Sequence, residues 1–111
     1  MENSESFKRI SVTDAAILLE NCPDTVLIDV REDDEYAEGH ISGSIHARLG
    51  IIESTIENIT TDKNKTLLLY CRGGMRSAKA AAGLAAMGYK NIISMDGGLS
   101  AWGELDFPVE V

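Results

Sequence analysis

The sequence predicts an α/β domain built as a three-layer sandwich, with helices flanking a five-stranded, mostly parallel sheet. Three observations support this fold class. Short apolar segments alternate with segments rich in helix-forming residues along the chain. The two strongest apolar segments, at 25–30 and 66–70, lack polar alternation, which is typical of strands covered on both faces. The length of 111 residues suits one core, so we expect a single domain over residues 1–111.

The predicted helices and strands each have a local signal. Ser11 and Asp14 have the spacing of a capping box, acidic residues open the helix at 32–38, and Gly88 follows an alanine-rich stretch as a stop signal. Apolar residues at 51, 52, 56 and 59 indicate a short amphipathic helix. The predicted strands are 7–10, 25–30, a short strand ending at 46, 66–70 and 91–95. The predicted helices are 12–20, 32–38, 51–59, 77–87 and 99–105.

Composition and charge exclude several classes of protein. Apolar residues make up 44% of the chain and charged residues 25%, as in an ordinary globular protein. No apolar run reaches the length of a membrane span, and the first residues are acidic and polar, unlike a signal peptide. The net charge of −8 argues against nucleic acid and anionic membranes as partners. Two widely separated cysteines do not form a disulfide framework, so we expect a cytoplasmic, reducing environment.

Cys71 is the residue on which the functional prediction depends. It follows the apolar strand at 66–70 and precedes Gly73, Gly74 and a predicted helix, so a helix amino terminus lies within six residues of it. Unpaired amides at a helix start and in a tight turn favour an anion. We expect the two glycines to let the backbone curl round Cys71, and the surroundings to lower the pKa of its thiol. The pattern therefore predicts a nucleophilic thiolate.

Basic residues surround Cys71 in the sequence. Arg72, Arg76 and Lys79 are close to it, and no Asp or Glu occurs across residues 63–95, which contain six basic residues. We expect Arg72 and Arg76 to attract an anionic substrate. The outer lysines fit a wider positive field and the solvated ends of strands equally well.

Polar side chains also follow the second apolar strand. Parallel strands bring their carboxyl ends to one edge of a sheet, so we expect Asp29 and Arg31 near Cys71. Arg31 is a candidate to support the cysteine loop, and the alternative is an ion pair with Asp29 that has no chemical role. His40 and His46 have no spaced Cys, His or Glu partner, so we expect structural hydrogen bonds and no metal site.

Five motifs that cover almost the whole chain together resemble those of the rhodanese-like family. They are Ile-Asp-Val-Arg-Glu at 28–32, Gly-His-Ile-Ser-Gly-Ser-Ile at 39–45, Tyr-Cys-Arg-Gly-Gly-Met-Arg-Ser at 70–77, Gly-Tyr-Lys-Asn at 88–91 and Asp-Gly-Gly-Leu-Ser-Ala-Trp at 96–102. The resemblance implies a five-stranded parallel sheet and a sulfurtransferase that carries sulfane sulfur on the loop cysteine as a persulfide. Ser42 and His46 depart from the family, which often has Pro and Asn at these positions.

The resemblance also implies roles for the residues of the loop. Cys71 is the implied catalytic nucleophile. The loop from Cys71 to Arg76 has six residues, the length typical of sulfur-transferring members, whereas phosphatase-like relatives have one more. The implied substrate- and persulfide-binding residues are Arg72, Gly73, Gly74, Met75, Arg76 and Ser77.

The implied reaction needs neither a metal nor an organic cofactor. It moves sulfane sulfur from thiosulfate, polysulfide or a persulfide donor to a thiol or cyanide acceptor. One alternative is a sulfur-relay or binding module that receives persulfide from a protein partner and turns over small donors poorly. Another is a Cys-dependent phosphatase or arsenate reductase.

Overall fold

The structure is a computed structural model that describes residues 6–111. The acidic residues on which the signal-peptide argument depends lie outside this range. No helix within it has the length and apolar character needed to cross a membrane. The strands are β1 (Lys8–Ile10), β2 (Val26–Asp29), β3 (Ile45–His46), β4 (Thr66–Tyr70) and β5 (Asn91–Met95). The helices are α1 (Val12–Asn21), α2 (Asp33–Glu38), α3 (Ile52–Ile59), α4 (Met75–Ala86) and α5 (Gly98–Glu104).

The five strands form one sheet in the order β1-β5-β4-β2-β3, and each neighbouring pair is parallel. The predicted α/β fold class is confirmed, and these strands are wholly rather than mostly parallel. In register, Asp29 of β2 lies beside Tyr70 of β4, and Leu69 lies beside Ser94 of β5. The carboxyl ends of β2, β4 and β5 therefore meet at one edge of the sheet, with β4 between the other two.

Strand β4 is apolar on both faces because it separates two hydrophobic clusters. Leu67 and Leu69 belong to the cluster that includes residues of α3 and α4, whereas Leu68 and Tyr70 belong to the one with residues of α1 and α5. All four side chains are fully buried. Trp102 also lies in the second cluster. Burial of each leucine contributes about 1.5–3 kcal/mol to the free energy of folding, so this strand fixes the position of the residue that follows it.

Helix α4 begins two residues earlier than the sequence predicts, at Met75. Gly74 is its N-cap, with a φ of +111° in the left-handed region that favours glycine. Met75 and Arg76 therefore belong to the first helical turn, and their amides have no partner within the helix. Gly88 follows the helix with a φ of +101°, which confirms the predicted stop.

Candidate active site

Cys71 follows directly after β4, and its Sγ lies inside the turn that leads into α4. The Gly74 amide donates a hydrogen bond to Sγ at 3.1 Å, and the Ser77 amide donates one at 3.4 Å. The Ser77 hydroxyl oxygen lies 3.7 Å from the same sulfur. Cys71 is only 1% exposed. The sulfur therefore lies in a nearly closed cradle of backbone N–H groups beside the Ser77 hydroxyl oxygen.

These contacts determine the protonation state of the thiol. Burial is the largest single effect and raises the pKa of Cys71. The Ser77 and Gly74 amides, the Ser77 hydroxyl and the Gly73 amide act in the opposite direction and hold the pKa below the ordinary value of a cysteine. The loop thus stabilises a negative charge on the sulfur despite its burial.

The two glycines of the loop have different roles. Gly74 has the left-handed conformation described above, and a Cβ atom there would lie 3.3 Å from the Gly97 amide nitrogen. Gly73 is exposed, its φ is not positive, and a Cβ atom there would meet nothing within 4 Å. The prediction that glycine is sterically required is therefore right for Gly74 and wrong for Gly73.

Backbone amides at the start of α5 bind carbonyl oxygens of the cysteine loop, a contact that the sequence does not predict. The amides of Leu99 and Ser100 donate to the carbonyl oxygens of Cys71 and Arg72 at 2.8 and 3.0 Å. Gly98 makes this approach sterically feasible, because a Cβ atom there would lie 2.4 Å from the Cys71 carbonyl oxygen. The adjacent glycines Gly97 and Gly98 at the start of α5 are the available signal, since glycine permits a close approach of two backbones.

A pair of buried serines lies behind the sulfur. The hydroxyl groups of Ser77 and Ser94 are 2.8 Å apart, and the Ser77 hydroxyl also bonds the Gly74 carbonyl at 3.1 Å. Both residues are fully buried. From the sequence, Ser94 is predicted only as part of a strand. Its signal was a single hydroxyl between the apolar neighbours Ile93 and Met95.

The three basic residues near the sulfur have different environments. Arg72 and Lys79 are exposed. Arg76 forms a bidentate ion pair with Glu35 of α2, at 2.7 and 3.0 Å. Both terminal nitrogens of Arg76 therefore bind a carboxylate in this structure, and substrate binding by Arg76 stays a prediction. The hydrogen bonds from Arg76 lower the pKa of Glu35 to about 2, and Glu35 raises the pKa of Arg76.

Lys63 and Lys65, two of the outer lysines, lie near carboxylates. Lys63 lies 3.8 Å from Glu57, and Lys65 lies 4.0 Å from Asp24. Both lysines precede β4, so they are at the opposite end of the strand from the cysteine. The structure therefore favours the interpretation of these residues as solvated flanks of a strand.

A cleft of about 570 Å³ borders the cysteine loop. Its lining includes Gly73 and Gly74 of the loop, Met75 and Lys79 of α4, and Phe7 just before β1. The Met75 side chain is 83% exposed. Another cleft, of about 590 Å³, includes the first residues of β4 and β5 and therefore lies at the other end of the sheet. Cys71 lines neither cleft, but Gly74, whose amide bonds Sγ, lines the one beside the loop.

Asp29 and Arg31 lie at the predicted edge of the sheet, where they pair with each other. The Arg31 guanidinium donates to the Asp29 carboxylate at 2.8–3.1 Å and to the Gly39 carbonyl at 2.6 Å. Both residues are buried. Within residues 6–111, Arg31 makes no hydrogen bond to the cysteine loop. The structure shows the ion pair and a bond from Arg31 to the turn at Gly39, and support of the cysteine loop by Arg31 stays a prediction.

His40 and His46 have the structural hydrogen bonds that the sequence predicts. A ring nitrogen of His40 bonds the Tyr36 carbonyl at 2.9 Å, and His46 Nε2 bonds the Arg31 carbonyl at 2.7 Å. Both rings stack with the Tyr36 ring, at centroid distances of 3.8 and 4.5 Å. In the described part of the chain, no three His, Cys, Asp or Glu side chains are grouped as ligands for a metal ion.

The fold and the cysteine loop agree with the comparison to known families. The sequence model of the Rhodanese-like domain matches residues 11–105. The chain belongs to the rhodanese-like family. A rhodanese-like domain protein from Staphylococcus aureus has the same fold, with a TM-score of 0.83 and 30% identity, over 95% of this chain and 98% of that one.

Several relatives of this rhodanese-like chain carry functional names. YtwF of Bacillus subtilis, provisionally named a sulfurtransferase, is 40% identical over 95 residues, which are 86% of this chain and 89% of that protein. Thiosulfate sulfurtransferase GlpE of Coxiella burnetii is 34% identical over 96 residues, which cover 86% and 87%. A Rhodopseudomonas palustris protein described as a possible tyrosine phosphatase has a TM-score of 0.85 at 31% identity, covering 95% of this chain and 86% of that one.

Proposed function

We propose that this protein is a sulfurtransferase that carries sulfane sulfur on Cys71 as a persulfide. The observation that carries the proposal is the pair of amide hydrogen bonds from Gly74 and Ser77 to Cys71 Sγ. Backbone donors fixed around a sulfur anion need no rearrangement when charge develops there. The similarity to proteins named as sulfurtransferases supports the same reaction class.

The first half-reaction loads the enzyme. The Cys71 thiolate attacks the outer sulfur of thiosulfate, a polysulfide or a low-molecular-weight persulfide. A new S–S bond forms, the donor's S–S bond breaks, and its electron pair leaves on sulfite or on a thiolate. The terminal sulfur of the new persulfide holds the negative charge, and the unpaired amides of Met75 and Arg76 at the start of α4 favour an anion there.

The second half-reaction returns the enzyme to its thiolate form. An acceptor thiolate, or cyanide in an assay, attacks the terminal sulfur, and the electron pair of the breaking S–S bond returns to Cys71. The sequence is a double displacement through a covalent intermediate. The exposed Arg72 and Lys79 attract an anionic donor to the cleft without binding it tightly.

A second candidate function is a sulfur relay from a protein persulfide donor. Cys71 is almost completely buried, whereas Met75 on the adjacent cleft is 83% exposed. Methionine is enriched in protein interfaces, so this side chain fits contact with a protein partner. The chemistry at Cys71 is the same as above, but a protein would supply the sulfur.

Intact-mass spectrometry after incubation with thiosulfate or inorganic polysulfide tests the proposal. The protein should gain the mass of one sulfur atom and lose it on addition of cyanide. Cys71→Ser should gain none, whereas Cys22→Ser, which removes the exposed cysteine, should behave as the wild type. Transfer by Cys71→Ser at the wild-type rate would refute the proposal. Saturation only at very high thiosulfate concentration, with fast loading by a protein persulfide, would favour the relay.

A further inference from the structure

The ion pair between Glu35 and Arg76 adjoins the cysteine loop, because Arg76 precedes Ser77, whose amide bonds Cys71 Sγ. Its geometry is bidentate, and the two side chains are only 23% and 31% exposed. Glu35 Oε1 also accepts a hydrogen bond from the Glu32 amide at 2.9 Å, as part of a capping box at the start of α2. Two anchors thus fix the carboxylate in one position, which distinguishes this pair from a loose surface contact.

This ion pair changes the charge that a substrate meets. Arg76 interacts electrostatically with Cys71, since the charge of Cys71 contributes to the raised pKa of Arg76, after the larger effect of the Glu35 hydrogen bonds. Glu35 neutralises the guanidinium on the other side. Arg72 and Lys79 are exposed, and solvent and salt screen exposed charges. Arg9, which lines the cleft beside the loop, lies 3.9 Å from the Asp96 carboxylate. A dianion approaching the thiolate therefore gains little net attraction.

We propose that Glu35 is a specificity-determining residue that makes the site prefer sulfur donors with one negative charge over dianions such as thiosulfate. This inference rests on the sulfurtransferase function proposed above. It assigns an alkyl persulfide, which leaves as a thiolate, as the class of donor that the site is built to use.

Thiosulfate and methanethiosulfonate are matched probes for this inference. Both contain one S–S bond, and a methyl group in methanethiosulfonate replaces one of the charged oxygen atoms of thiosulfate. With either donor, the Cys71 thiolate forms an S–S bond to the outer sulfur and the donor's own S–S bond breaks. The electron pair leaves on sulfite or on methanesulfinate. The same Cys71 persulfide results, with one negative charge fewer in the site for methanethiosulfonate.

The experiment compares kcat/KM for the two donors with cyanide as the acceptor. The wild type should prefer methanethiosulfonate. Glu35→Gln removes the charge but keeps an oxygen that can accept from the Glu32 amide, and it should narrow the preference by about tenfold, mainly through a lower KM for thiosulfate. High salt should shrink this effect. Glu38→Gln, on the exposed face of the same helix, changes the net charge equally and should leave the preference unchanged.

Arg76→Gln provides the opposite test, because it leaves the Glu35 carboxylate without its partner. This variant should widen the preference for methanethiosulfonate. If Glu35→Gln does not fold, the donor preference of Arg76→Gln is the decisive measurement. The inference is overturned if the wild type prefers thiosulfate, if the decisive variant stays within about twofold of the wild-type preference, or if Glu38→Gln shifts the preference equally. If neither donor forms a persulfide on the wild type, the sulfurtransferase function itself fails.

Discussion

Gly98 lies where α5 meets the cysteine loop, and its substitution by alanine should disturb both the fold and the thiol. An added Cβ atom would lie 2.4 Å from the Cys71 carbonyl oxygen and 2.6 Å from that of Arg72. Ordinary contact begins at 3.4 Å, so the loop or α5 must move by about 1 Å. That shift breaks the hydrogen bonds from the Leu99 and Ser100 amides to the two carbonyls, whose N···O distances in the wild type are 2.8 and 3.0 Å.

The expected effect of Gly98→Ala is large relative to the stability of a small domain. Two lost hydrogen bonds and an alanine at a φ of +54° should together lower the free energy of unfolding by about 3 kcal/mol. The melting temperature should fall by roughly 10–15 °C. Because the loop amides move with the carbonyls, the pKa of Cys71 should rise toward its ordinary value. Urea denaturation measures the first effect, and the ultraviolet absorbance of the thiolate, titrated in a Cys22→Ser background, measures the second.

Gly103→Ala is the matched control. Gly103 lies in the same helix, its φ is not positive, and an added Cβ atom would meet nothing within 4 Å. Alanine favours the helix over glycine, so this variant should be as stable as the wild type or more stable by about 0.5–1 kcal/mol. The reasoning fails if Gly98→Ala unfolds at the wild-type urea midpoint and its thiol titrates at the wild-type pKa.

Three further predictions follow from the same site. The pKa of Cys71 is lower in the folded than in the unfolded state, so the thiolate stabilises the fold fully above the unfolded-state pKa, and this stabilisation is lost as the pH falls through the folded-state pKa. Urea denaturation at about pH 6 to 9 should therefore show an unfolding free energy that rises with pH, and Cys71→Ser should remove this rise. Ser94→Ala removes the 2.8 Å hydrogen bond to Ser77 and should lower the urea unfolding free energy by about 1–2 kcal/mol; an unchanged value would show that the bond is not needed. Asp29→Asn leaves the Arg31 charge buried without its counter-ion and should lower the unfolding free energy by about 3–5 kcal/mol, so a loss below about 1 kcal/mol would contradict the buried pair.

Local patterns were sufficient to predict the elements and Cys71. The apolar run of β4, the left-handed glycine after it and the alanine-rich helix are neighbours in sequence, so their chemistry can be interpreted from the order of residues alone. Glu35 and Arg76 are 41 positions apart, and Ser77 and Ser94 are 17 apart. Such pairs form only when the sheet brings distant segments together. The sequence predicts an acidic helix start that includes Glu35 and a strand that includes Ser94, but it contains no signal that either residue contacts the cysteine loop.

The glycines of the cysteine loop and those at the start of α5 belong to one structural arrangement around Cys71. A trans peptide unit directs its N–H and its C=O to opposite sides, so the Gly73 amide, which helps to lower the pKa of Cys71, turns the Arg72 carbonyl outward. At this loop the outward side faces α5, where an unpaired carbonyl would be costly to bury. The first amides of α5 are unpaired within their own helix and bind the carbonyls of Cys71 and Arg72. Gly98 allows the close approach. The cradle for a sulfur anion therefore depends on a second helix start that faces the other side of the loop.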